Sequence, residues 1–193
     1  MIDLLEIETF LDAGALAALA AEMERAGGGP ATVLSQTPDG AVRPATRRTT
    51  RLALPPEVRE EVKRRLMDGK PALEKHFGVA LGECEEPQFL RYQEGDFFVA
   101  HQDGNTPLVW DESRFRRVSA VVFLNPQAPE PAAGTYGGGE LVFHGPYTGP
   151  TLRVAAGARP GSLVAFRAET THEVLPVTHG VRYTIAAFFR APA

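Results

Sequence analysis

The chain has 193 residues, enough for one domain with a substantial core, and its formal net charge of −4 lacks the basic excess that marks proteins held to nucleic acid by charge. A single cysteine, Cys84, excludes an internal disulfide and points to a reducing, cytoplasmic setting. No apolar run approaches the ~18 residues of a spanning helix, and the opening MIDLLEIETF carries acids without the basic stretch of a secretory leader.

Glu8 to Ala26 is predicted as a helix, capped by Thr9 or Asp12 and stopped by Gly27-Gly28-Gly29-Pro30. Phe10, Leu11, Leu16, Leu19 and Met23 form its apolar stripe. Residues 31–54 look like a hairpin arm turning at Thr37-Pro38-Asp39-Gly40, with Arg43, Arg47, Arg48 and Arg51 on the returning side. Those charges suit either a solvated edge or an arm over a site that meets an acidic or polypeptide substrate. Pro55 to Met67 is expected to be a second helix, with glutamates early and basic residues late. A short third helix is expected from Lys70 to Phe77, closed by Gly78.

From Pro87 the pattern changes to short strands: Pro87–Tyr92, Phe97–His101, Val118–Asn125, Glu140–His144, Thr151–Ala155, Ser162–Phe166, His172–Val177 and Val181–Phe189. Eight such strands after a helical start predict a mainly β, α+β fold: an antiparallel jelly roll with N-terminal supporting helices on one outer face. One domain is expected over 1–193, with 1–86 as helical support and hairpin arm and 87–193 as the core that carries chemistry. Two irregular connections, Gly104–Arg114 and Pro126–Gly139, are long enough to be functional loops.

The stretch RYQEGDFFVAHQD ends in His-x-Asp. On a strand, positions i and i+2 face the same way, so His101 and Asp103 would project together as metal ligands. Candidates for a third ligand are His76, His144, His172 and His179. Two histidines and a carboxylate on one face of an iron leave three positions open for substrate and dioxygen. A chelating 2-oxo acid needs a cation for its far carboxylate, and Arg offers a two-pronged, permanently charged donor. If the strands around Thr178-His179-Gly180 pair with each other, positions 172, 174, 176, 182, 184 and 186 share a face, which puts His172 and Arg182 in one cavity.

RYQEGDFFVAHQD, RRVSAVVFLN, GGGELVF, PGSLVAF and HEVLPVTHGVRYTIAAFF occur in this order. Together they resemble the iron(II)/2-oxoglutarate-dependent dioxygenases of the prolyl 4-hydroxylase and hypoxia-factor prolyl hydroxylase group, over roughly residues 87–190. The resemblance implies a double-stranded β-helix, with Fe(2+), 2-oxoglutarate and O2 as cofactors and ascorbate as an additional reductant. It implies His101, Asp103 and His172 as catalytic iron ligands and Arg182, Tyr92 and Thr184 as co-substrate contacts. On the substrate side it implies Arg116 or its rival Arg117, together with Phe98 and Arg47. Phe123 stands where the hypoxia-factor branch has a tyrosine, and IAAFF lacks a tryptophan common in the last strand. Both differences alter the pocket walls. Asp103, where related halogenases carry a small residue, implies hydroxylation.

The implied reaction is hydroxylation of a C–H bond, first of a prolyl residue in a polypeptide, with succinate and CO2 released; a free amino acid or other small molecule is the alternative substrate. Rival readings are a cupin-type metal-binding protein without 2-oxoglutarate, and a non-catalytic domain that has kept the fold. A third rival, a nucleic-acid demethylase, lacks support because the R-x-N-x-T-x-R ending is missing. Neither a nucleic-acid nor a membrane partner is expected.

Overall fold

A computed structural model describes residues 2–33, 41–106, 111–145, 153–157 and 159–193. The strands are β1 (Leu4–Ile7), β2 (Gly28–Pro30), β3 (Arg47–Arg48), β4 (Thr50–Leu52), β5 (Gln88–Tyr92), β6 (Phe97–His101), β7 (Arg116–Phe123), β8 (Tyr136–Gly138), β9 (Leu141–His144), β10 (Arg153–Ala155), β11 (Leu163–Arg167), β12 (His172–Val174), β13 (Val177–Gly180) and β14 (Arg182–Arg190). The helices are α1 (Ala13–Arg25) and α2 (Pro56–Phe77). Seven strands form a major sheet in the order β1-β11-β7-β14-β5-β4-β2, and five form a minor sheet in the order β10-β9-β12-β6-β3. β8 and β13 pair separately, and all strand pairs are antiparallel, giving the expected jelly roll.

Both faces of the major sheet are covered, so its central strands are almost continuously apolar rather than alternating. Ile185, Ala187 and Phe189 of β14, Val118, Ala120 and Val122 of β7 and Phe89 of β5 pack with Leu19 and Met23 of α1 and Val62, Leu66, Leu73 and Phe77 of α2. The alternate residues turn toward the minor sheet, where Leu90, Tyr92 and Phe123 meet Phe143 and Val174. This inner layer is the floor of the candidate site.

Asp12 caps α1, accepting from the Ala15 amide at 2.9 Å. The second and third expected helices are one, α2, running through Pro71. Val62, Leu66, Leu73 and Phe77 keep one helical phase across the proline, so packing outweighs the hydrogen bond that proline removes. Pro71 itself is exposed, and α2 ends at Gly78 in the left-handed conformation (φ 63°). Among the described residues no helix is long and apolar enough to cross a membrane.

Seven of the eight expected strands form, β6 with the expected bounds and β10 with its expected start, 151–152, outside the described residues; the eighth, His172–Val177, is broken into β12 and the start of β13, which belong to different sheets, and several further strands form too. β1 lies in the opening stretch, where no strand was expected, and adds an edge to the major sheet beside β11. The glycine-rich helix stop becomes β2, paired with β4. The 31–54 segment closes on itself at Val33 and Ala41, and its Thr37–Gly40 turn lies outside the described residues. Its returning side is shared between the sheets: β3 is the edge strand of the minor sheet beside β6, with Arg43, Arg48 and Arg51 exposed and Arg47 buried, while β4 pairs with β5 in the major one. The hairpin expected around Thr178-His179-Gly180 is also corrected. β12 pairs with β6 and β9, β13 with β8, and β14 with β5 and β7, so His172 and Arg182 stand on opposite sheets.

Candidate active site

β6 carries one extra residue relative to β12. His172 pairs with His101 and Val174 with Phe98, so two residues of β12 span three of β6. This bulge turns Phe98 and His101 to the same side although they are an odd number of residues apart. Their rings stack at 3.5 Å between centroids, 17° from parallel. His101 and His172 lie side by side at 4.2 Å. Asp103 lies beyond the end of β6, so simple strand alternation does not place it. Its backbone amide instead donates to the Ala168 carbonyl at 2.9 Å, which returns the carboxylate to the two imidazoles.

The ligand atoms of His101, Asp103 and His172 all lie within 4.8 Å of one another. Asp103 Oδ1 is 3.4 Å from His101 Nε2, and Oδ2 is 3.4 Å from His172 Nε2. His101 Nδ1 donates to the Val99 carbonyl at 2.8 Å, and His172 Nδ1 donates to the Thr170 carbonyl at 2.9 Å. A carbonyl can only accept, so each Nδ1 carries the proton and each Nε2 presents its lone pair to the shared space. Burial, reinforced by the rings of Phe143 and Phe166, holds His172 down to about 4, against the opposing pull of Asp103. Burial would raise the Asp103 carboxyl, but the neighbouring His172 and His101 hold it well below the usual carboxylate range. Both groups are therefore in the forms that bind a metal, neutral imidazole and carboxylate. Two imidazoles and one carboxylate are the donor set suited to a non-haem iron(II) ion.

These residues line a cavity of about 550 Å³ that also receives Tyr92, Arg182 and Thr184 from the major sheet. Arg182 is opposite Tyr92 in the β14–β5 register and only 1% exposed. Its guanidinium lies 5.1 Å from the ring of Tyr92, 5.5 Å from Phe123 and 6.0 Å from Tyr136. Nη1 donates to Thr184 Oγ1 at 3.2 Å, whereas Nε and Nη2 are buried without a partner. A buried charge with two unmet donors fits a two-oxygen anion such as a carboxylate. So the joint placement of His172 and Arg182 expected from a hairpin is reached by facing sheets instead.

Arg116 also lines the cavity, while its rival Arg117 turns away and donates to the carbonyls of Arg114 and Arg116. Successive residues on a strand point to opposite faces. Arg116 donates to both oxygens of Glu85 at 2.9 and 2.7 Å and to the Asp103 carbonyl at 3.1 Å, which ties it to the loop that carries Asp103. Phe98 lines the cavity, and Arg47 lies over its ring at 4.8 Å. Arg47 is buried rather than part of a free arm. Tyr136 and Glu85 escaped the sequence reading. Tyr136 was hidden in the glycine-rich 126–139 connection, and the only sign of it was an aromatic residue between glycines. The remaining histidines lie elsewhere: His144 bonds Glu173, His76 bonds Asp3, and His179 packs over Gly137.

The profile of the 2OG-Fe(II) oxygenase superfamily matches residues 87–190. A PKHD-type hydroxylase of Paracoccus denitrificans is 41% identical over 107 residues, covering 54% of this chain and 42% of that protein. The chain thus spans less than half the length of such curated relatives. Among solved structures, a Pseudomonas putida prolyl-4-hydroxylase superposes with a TM-score of 0.72 at 24% identity, over 100% of this chain and 95% of that one. A Trichoplax adhaerens prolyl hydroxylase in complex with a hypoxia-inducible-factor peptide fragment gives 0.70 at 16% identity, covering 98% and 84%. HygX from Streptomyces hygroscopicus, with nickel, 2-oxoglutarate and hygromycin B bound, gives 0.66 at 16%, covering 98% and 83%. At these identities the structural likenesses establish the fold. The profile covers more than half of the chain, including His101, Asp103, His172 and Arg182, and on that ground the chain belongs to the 2OG-Fe(II) oxygenase superfamily.

Proposed function

We propose that this protein is an iron(II)- and 2-oxoglutarate-dependent hydroxylase that uses dioxygen, and that a prolyl residue of a polypeptide is its first-choice substrate. The observation that carries the reading is Arg182, a buried guanidinium with two unmet donors in the same cavity as the His101–Asp103–His172 cluster. A cupin-type protein without 2-oxoglutarate has no use for that charge. In this reading His101, Asp103 and His172 hold the iron, Arg182 and Thr184 bind the distal carboxylate of 2-oxoglutarate, and Tyr92 flanks it. Phe123 and the aliphatic inner layer exclude water from that end. The chemistry supplied by the bound metal and co-substrate is oxidative decarboxylation with dioxygen, coupled to hydroxylation of a C–H bond, with succinate and carbon dioxide as co-products.

The prolyl assignment rests on the PKHD-type and prolyl hydroxylase relatives. HygX, with hygromycin B bound on the same fold, keeps a small-molecule substrate as the alternative. A single, buried cysteine accords with a cytoplasmic setting. The test is succinate release by the iron-loaded protein, with ascorbate as reductant, against proline peptides and free amino acids, with mass spectrometry of the product. A proline peptide that gains one oxygen atom is the expected result. Succinate release stimulated only by non-prolyl small molecules would move the substrate assignment, and failure to bind 2-oxoglutarate would overturn the whole reading.

A further inference from the structure

The cavity is far more basic than the molecule. Its described lining includes Arg43, Arg47, Arg51, Arg116 and Arg182 but one carboxylate, Asp103, which belongs to the ligand cluster. Arg116 is balanced by Glu85. Arg182 has its place in the reading above. Arg47 is the unexplained one. It is 8% exposed, and its Nε is buried without a partner. Nη1 donates to the Thr32 carbonyl at 2.9 Å and Nη2 reaches Gln88 Oε1 at 3.4 Å, both neutral acceptors. Glu86, the acid nearest in charge to Arg51, is engaged by Arg59 at 2.5 Å. Three guanidiniums therefore share one mouth without a carboxylate of their own among the described residues. Arg43 and Arg51 are exposed, but Arg47 is buried, and burying a guanidinium without a counter-ion is costly, so Arg47 calls for an anion from outside.

Two observations separate this anion from 2-oxoglutarate. Gln88, the partner of Arg47, is opposite Ala186 in the β5–β14 register, whereas Tyr92 is opposite Arg182. The β5 positions beside the two arginines, Gln88 and Tyr92, are thus four residues apart, roughly 13 Å of backbone at the ordinary strand rise. Arg47 also covers Phe98, which stacks on His101, so an anion held there lies beside the cluster, whereas Arg182 is ringed by Tyr92, Phe123 and Tyr136.

We propose that Arg47, with Arg43 and Arg51, forms an anion subsite for the primary substrate, and that this substrate carries a carboxylate close to the C–H bond that is hydroxylated. This rests on the hydroxylase reading and narrows it. The carboxylate belongs either to a free amino acid or to an acidic side chain next to the target residue of a peptide, and the two sources are separable by experiment.

The test uses wild-type protein loaded with iron(II). Binding of 2-oxoglutarate is measured first by its visible charge-transfer absorption; its absence would remove the hydroxylase reading itself. Succinate release above the substrate-free rate is then compared for free amino acids against their primary amides, and for end-blocked proline peptides with aspartate against asparagine beside the proline. The expected result is that the carboxylate member of a pair is preferred by about ten-fold or more in kcat/KM, the range of a charge-assisted contact. The pair that responds identifies the source. Arg47→Gln should abolish the preference by raising KM for the acid. Arg48→Gln, whose guanidinium lies over Phe97 outside the cavity, should leave it intact. With 2-oxoglutarate bound, equal use of acid and amide, or no stimulation by any carboxylate member, overturns the proposal. The wild-type comparison stands even if Arg47→Gln does not fold.

Discussion

Arg182 is enclosed by three aromatic rings and Thr184, so its charge has nowhere else to go when its partner is missing. Arg182→Ala should weaken 2-oxoglutarate binding by about 2–4 kcal/mol, the cost of losing one side of a buried charge-assisted pair. An unchanged 2-oxoglutarate titration would place the anchor elsewhere. Arg182→Lys keeps the charge without the fork and should fall between the two. His101→Ala removes one of the three proposed iron ligands, and substrate-stimulated succinate release should vanish with it; full activity in that variant would sink the assignment. His101 was legible as a candidate because histidine is rare in this chain, with five in all; Arg182 is one of many arginines and was legible only through its place after His172 in the ordered motifs. Glu85 and Tyr136 were not, because a glutamate among glutamates and a tyrosine in a glycine-rich loop acquire roles only through what folding sets beside them.

At the scale of elements, the bulge in β6 and the turn after it do what strand alternation was expected to do. Gly104 follows Asp103 of the His101–Asp103–His172 cluster, and a Cβ there would meet the Ser113 carbonyl oxygen at 2.1 Å. Gly104→Ala should therefore displace the ligand loop, lower thermal stability by about 1–3 kcal/mol and weaken metal binding. A variant with wild-type melting temperature and metal affinity would contradict this. Pro71 makes the opposite case. It interrupts the hydrogen bonding of α2 on an exposed face while the apolar stripe runs past it. Pro71→Ala should stabilise the protein by about 2 kcal/mol, the helix gain less the entropy that proline removes from the unfolded chain, with no change in activity. Chemical denaturation measures this directly. A proline reads in sequence as a helix end, and only the phase of Val62, Leu66, Leu73 and Phe77 hints that the helix continues.

At the scale of the molecule, the major sheet separates two interiors: an apolar one beneath the helices, and one facing the minor sheet in which an apolar layer also holds the buried Arg47, Asp103, His172 and Arg182. Cys84 belongs to the first. It is 1% exposed, and burial pushes its thiol up to about 12. The thiolate is thus absent from the native state at pH 8, and a disulfide reagent should react only as fast as the protein unfolds; rapid labelling of native protein would refute this. Because the folded value is raised, the contribution of Cys84 to stability is complete below the ordinary thiol value of 9.0 and is lost between there and about 12.

By itself the sequence pointed to the family and the class of fold. The ligand types, the late arginine, the helical start and most of the core strands are properties of local pattern, which short-range physics imposes wherever the chain goes. Tertiary structure alone decided how those pieces meet. His172 and Arg182 were expected to share a cavity as neighbours in a hairpin; they share it because two sheets face each other. Arg47 was expected on a solvated or mobile arm; it is buried because β3 and β4 are drawn into different sheets. Pairing between strands distant in sequence depends on which edges are left open, and no stretch of the chain records that alone.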